Sequence, residues 1–181
     1  MASPKPKAQA PPAPPARNWT LWYLAALILL GVVLYANALH GPFLFDDVDI
    51  KEPRTSVRQQ NWWVILTGPR PLLILSYALN FRWAGRQFRE FDFHLVSLLL
   101  HIVNAVILWL ALRKLRELPT LVVWATPLLF LTSPIQTESV AYISSRSELL
   151  AATFYLLAVL VFVFSWRERR RWVTADRKSV V

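Results

Sequence analysis

The sequence predicts an all-α membrane protein with about four transmembrane helices and surface helices in the first outward loop. Apolar residues fill 55% of the 181 positions and charged ones only 17%, where a soluble domain carries about a quarter. Several apolar stretches approach or reach the roughly 20 residues that cross a hydrocarbon core of about 30 Å. Basic residues collect at the ends of those stretches and in one loop. That distribution points to lipid headgroups and topology and away from nucleic acid, despite a formal net charge of +9. Nine Trp and ten Phe fit the same setting, because aromatic rings gather at the water–lipid boundary.

Residues 1–18 form a Pro/Ala-rich tail with no apolar periodicity, expected to be disordered. Span one follows at 19–39, free of charge, with Trp19, Trp22 and Tyr23 placed as interfacial anchors. A cleaved signal peptide is the alternative there, on Ala36-Asn37-Ala38, but the apolar stretch is long for a signal core. Residues 40–92 form a polar loop with an apolar island, Pro71 to Phe81, too short to span and suited to a surface helix. Pro71 fits the first turn of that helix and puts Arg70 at its N-terminus.

Span two is expected at 93–112, span three at 119–134 and span four at 147–166. Span three is interrupted by Pro119, Pro127 and Pro134 and should be short and kinked. Residues 19–171 thus make up one transmembrane region, and 172–181 a non-native or disordered tail. Basic clusters lie before span one, after span two and after span four. Four crossings put them on one side, which the positive-inside rule makes cytoplasmic, with the N-terminus. Loop 40–92 then faces periplasm or lumen. It is itself basic, with Lys51, Arg54, Arg58, Arg70, Arg82, Arg86 and Arg89, and binding an anionic ligand is one reason for that.

Four constellations carry candidate chemistry. Asp46-Asp47 sits just beyond span one, where two adjacent carboxylates repel and one is suited to general-base work. His94, Ser97, His101 and Asn104 share one face of span two, and such a stripe must face protein or a water-filled cavity. Arg70 at a helix N-terminus suits a phosphate. Last comes the hairpin from Ser133, where Glu138 is expected to open a helix running to Glu148, with Arg146 either paired internally or reaching a phosphate. No metal-ligand cluster or Gly-rich phosphate loop is present, so no zinc site and no cofactor is expected, and the residues leave assistance by a divalent ion open.

In order, these motifs resemble a known family. They are Asn37 with Phe43-Leu44-Phe45-Asp46-Asp47, then Arg70-Pro71-Leu72 leading to Leu79-Asn80, then Phe93-His94-Leu95 leading to His101, and finally Ser133-Pro134-Ile135-Gln136-Thr137-Glu138-Ser139-Val140 leading to Ser145-Arg146-Ser147-Glu148. Over about residues 32–160 the chain resembles the N-terminal part of the transmembrane and tetratricopeptide repeat O-mannosyltransferases. Ser97 stands where Asn is frequent in that family, and Ser133 where His is.

The resemblance implies a partial GT-C membrane fold and a glycosyltransferase that moves a sugar, mannose by the family's name, from a polyprenyl-phosphate donor to a protein Ser/Thr hydroxyl. By the same resemblance Asp46 is the catalytic carboxylate, with Asp47 its neighbour, while Arg70, His94, Glu138 and Arg146 contact the substrate or the lipid phosphate. Partners are then membrane lipids, the lipid-linked sugar and an acceptor protein. The family's members continue into further spans and tetratricopeptide repeats, and Asp176 to Val181 reads like translated sequencing adapter. The chain is therefore expected to be a truncated fragment without activity of its own. A non-enzymatic scaffold and a transporter fragment are the rival readings.

Overall fold

The computed structural model describes residues 19–178 apart from Pro53 and Arg116, with side chains as far as Trp166. The tail at 1–18, expected to be disordered, and residues 179–181 lie outside the described residues. Eight helices and no strand occur among the described residues: α1 (Trp19–Tyr35), α2 (Ser56–Gln59), α3 (Trp62–Thr67), α4 (Pro71–Trp83), α5 (Glu90–Lys114), α6 (Thr120–Thr132), α7 (Gln136–Ala141) and α8 (Arg146–Lys178). Three stretches are long and apolar enough to cross a bilayer: Trp19–His40, Glu90–Lys114 and Arg146–Trp166. The backbone of α8 stays helical through residues 172–178, part of the expected tail.

Span three is short, as its prolines lead one to expect. α6 has 13 residues, about 20 Å of helix, short of the hydrocarbon thickness. Ser133 leaves helical geometry, and Pro134 follows. Pro127 is accommodated inside α6.

Side-chain contacts fix the helix directions. Tyr23 meets Trp109 with ring centroids 5.0 Å apart, and Tyr35 meets His101 at 5.5 Å, so α1 and α5 are antiparallel. Tyr23 also donates a hydrogen bond to the Trp124 carbonyl and Tyr35 one to that of Leu131, so α6 runs with α1. On α8, Arg146 reaches Ser97 while Asn104 reaches Leu149, so α5 and α8 are parallel. The third traverse is thus α6 completed by the irregular stretch from Ser133 and by α7. One end of the bundle gathers Thr20, Arg113, Lys114 and Phe164; the other gathers loop 40–92, α7 and the start of α8.

Tyr23 is a packing residue and not an interfacial anchor, because Trp109 and Trp124 enclose it. Trp19 and Trp22 keep exposed positions. α1 approaches α5 closely at Gly31, where an added Cβ would lie 2.8 Å from Ile102 Cγ1.

The polar face of α5 turns wholly inward: His94, Ser97, His101 and Asn104 are all buried. Asn104 donates to the Leu149 carbonyl at 3.0 Å and accepts from the Thr153 hydroxyl at 2.7 Å. His101 packs against Tyr35 and Phe130. Both deep polar residues thus lie between packed helices. Asn104→Leu is expected to weaken α5–α8 association by about 1–2 kcal/mol, read as a lower denaturation midpoint in detergent.

Candidate active site at the loop end of the bundle

The site grows from the short chain after α1. It closes in a 3-10 turn at Ala36–His40, then crosses Gly41 and Pro42 to a second at Phe45–Asp47. His94 Nε2 lies 3.0 Å from the Gly41 carbonyl oxygen. A carbonyl only accepts, so Nε2 carries the proton of this bond. Phe43 is buried against Phe93 and Phe88. Together these contacts pin the approach to the two aspartates.

The structure divides Asp46 from Asp47. Asp47 is buried, and its carboxylate accepts the backbone N–H of Ser144 at 2.6 Å, of Ile143 at 3.3 Å and of Leu44 at 3.5 Å. Asp46 projects outward from the same turn and is exposed. Phe45, just before it, has φ 47°, a conformation that costs a residue with a Cβ about 1 kcal/mol or more.

The bonds to Asp47 also explain why no single helix runs from Glu138 to Glu148. Tyr77 donates to the Ile143 carbonyl at 2.7 Å while Asp47 takes the Ile143 N–H. The polar groups of Ile143 thus satisfy tertiary partners, α7 stops at Ala141, and α8 restarts at Arg146.

Arg146 does not face a ligand. Its side chain is fully buried, donating to the Phe93 carbonyl at 2.7 Å, Asn80 Oδ1 at 3.0 Å and Ser97 Oγ at 3.4 Å. The guanidinium carbon sits 4.8 Å from the Tyr77 ring centroid and 5.5 Å from that of Phe93. Instead of the expected phosphate contact, Arg146 makes internal ones, because its side chain is enclosed between α4 and α5. Tyr77, Asn80 and Ser97 are its partners, and sequence reasoning gave none of them that role. An Asn within the apolar island 71–81 was the available signal, because an amide there needs a buried partner.

Burial pushes the Tyr77 phenol up to about 12; the Asp47 charge adds to the shift, and Arg146 and Arg70 oppose it.

Arg70 is exposed and caps α4 in the left-handed region, with φ 57° and ψ 50°. It heads a groove of about 440 Å³ lined by Pro71, Leu72, Leu73, Ser147, Leu150, Ala151 and Phe154. Glu138 is exposed on α7, and Glu148 accepts from the Ser139 hydroxyl at 2.7 Å. Part of the loop's basic charge is used internally. Lys51 pairs with Glu90 at 3.5 Å and lies over the Phe43 ring, Arg58 lies over Phe88, and Arg89 approaches Asp92 at 4.0 Å. Among the described residues no three His, Asp or Glu side chains converge as metal ligands.

The chain is 35% identical to protein O-mannosyl-transferase Tmtc2 of Drosophila melanogaster over 167 residues, which is 80% of this chain and 17% of that protein. Against Tmtc1 of the same fly it is 32% identical over 156 residues, 77% of the chain and 18% of the relative. Human TMTC1 matches at 31% over 157 residues, 76% and 18%. The chain belongs to the protein O-mannosyl-transferase family. It spans under a fifth of the length of these relatives. No family model and no solved structure matches it.

Removing the Asp47 carboxylate strands buried N–H groups, so Asp47→Ala is expected to cost roughly 3 kcal/mol, whereas Asp46→Asn should stay within about 0.5 kcal/mol. Denaturation in detergent reads both. The raised Tyr77 pKa stabilises the fold fully below the unfolded value near 10, and that contribution disappears as pH rises toward 12. Tyr77→Phe should therefore flatten stability against pH between about 10 and 12, as followed by thermal scans.

Proposed function

We propose that this region is the donor-handling end of a membrane glycosyltransferase that moves a sugar, mannose by analogy with the relatives' names, from a polyprenyl phosphate to a protein Ser or Thr hydroxyl. The observation that carries the reading is the groove headed by Arg70. Arg70 and Ser147 are its polar lining residues, while Leu150, Ala151 and Phe154 follow Ser147 along a membrane-crossing helix. That is the polarity profile of a phosphate joined to an isoprenoid chain, with the cation at the head and apolar wall inside the bilayer.

Asp46 is the general base. It is exposed on a strained turn and is not one of the carboxylates that hold the fold. Its carboxylate takes the proton from the acceptor hydroxyl as that oxygen attacks the anomeric carbon. The bond from that carbon to the phosphate oxygen breaks, and the polyprenyl phosphate departs with the bonding pair. Arg70 stabilises the negative charge growing there. His94 acts indirectly, by holding Gly41 and so the segment leading to Asp46. Glu138, exposed at the same end of the bundle, is assigned to the acceptor side. The site faces periplasm or lumen, with the opposite, Arg113-bearing end cytoplasmic.

With the chain in nanodiscs, Arg70→Gln is expected to weaken binding of a polyprenyl monophosphate by about tenfold, or roughly 1.4 kcal/mol, and Asp46→Asn to leave it unchanged. In a transfer-competent protein carrying this region, Asp46→Asn should abolish sugar transfer. Wild-type transfer rates in that variant would remove Asp46 as the base.

A further inference from the structure

Phe45 holds a conformation that glycine adopts at no steric cost, yet it carries a large ring that is 79% exposed. Packing does not account for the ring, and backbone geometry opposes it. Strain retained at an exposed aromatic beside a candidate catalytic group points to a ligand. The ring is not isolated. Tyr142, half-buried, lies 6.4 Å away between centroids, its plane tilted 32° from that of Phe45, so two aromatic rings neighbour Asp46 in one pair.

Both rings of this pair are fixed by the same carboxylate. Phe45 and Asp47 share one 3-10 turn, and Tyr142 immediately precedes Ile143 and Ser144, whose N–H groups Asp47 accepts. The pair is thus preorganised, and the next residue after Phe45 is Asp46.

We infer that Phe45 and Tyr142 form a sugar-binding shelf that stacks on the apolar C–H face of the pyranose delivered to Asp46. This rests on the donor-groove reading above and names a contact for the sugar that the groove lacks, since Arg70 and the apolar wall recognise phosphate and chain. Aromatic rings pair with a hexose through that face, and they do so with little loss of side-chain freedom because only two torsions must be fixed.

The test compares two probes on the nanodisc-embedded chain: a polyprenyl-phosphate mannose and the same polyprenyl phosphate without sugar. Wild type is expected to bind the glycosylated lipid more tightly. Phe45→Leu should cost roughly fivefold for the glycosylated lipid and nothing for the bare phosphate, and Phe45→Trp should keep the preference. Phe45→Gly relaxes the backbone, so it should lose the preference with no fall in thermal midpoint, which separates the ring from folding. If Phe45→Leu and Phe45→Gly leave the preference intact, the shelf is refuted while the Arg70 groove stands. Equal weakening for both lipids would reassign the ring to the isoprenoid chain or bilayer and overturn the proposal. If neither lipid binds wild type, the donor-groove reading fails and the shelf with it.

Discussion

A guanidinium with no exposed surface holds this molecule together. Arg146 stays charged at any physiological pH and cannot shed its proton to escape burial. Its insertion is tolerable only if donors find acceptors and the charge finds polarisable surroundings. The Phe93 carbonyl, Asn80 and Ser97 supply acceptors for Nε and Nη2, the faces of Tyr77 and Phe93 lie beside the charge, and Nη1 has no hydrogen-bond partner among the described residues. One side chain thereby ties the start of α8 to both α4 and α5. Asp47 completes the clasp from loop 40–92 by holding the backbone just before Arg146. The Asp47 charge also bears on Arg146 and on Tyr77.

The clasp explains the division of labour between neighbouring carboxylates. An acid bound by several backbone N–H groups is held in place, and moving it would release the segment between α7 and α8. Asp47 is spent on architecture, which leaves Asp46 displayed from a turn that cannot relax. Rigidity in Asp47 and availability in Asp46 come from the same 3-10 turn. A similar economy holds along α5, where the outermost polar residue steadies the loop through Gly41 and the deeper ones join helices.

Much of this was readable from residue order. Spans one, two and four follow from uncharged length, the surface helix from Pro71, and the inward polar face of α5 from spacings of three and four. The shortness of span three was legible too, because Pro119 and Pro134 bracket an apolar stretch that forms only 13 residues of regular helix. The continuous helix from Glu138 was misjudged. Local propensity favours it, and only distant partners, Asp47 and Tyr77, make it worthwhile for Ile143 to leave helical hydrogen bonding. Arg146 read equally well as a ligand-binding cation or an internal one, since the same guanidinium serves either.

What the sequence determined by itself was that this chain lives in a bilayer, and roughly where it crosses. Those properties depend on the free energy of transferring consecutive residues from water to hydrocarbon, which is summed locally. Which charges are buried and which are displayed was decided only by tertiary structure. Asp46 and Asp47 are chemically the same residue one position apart, and their fates diverge because one of them meets the N–H groups of Ile143 and Ser144, nearly a hundred residues further on.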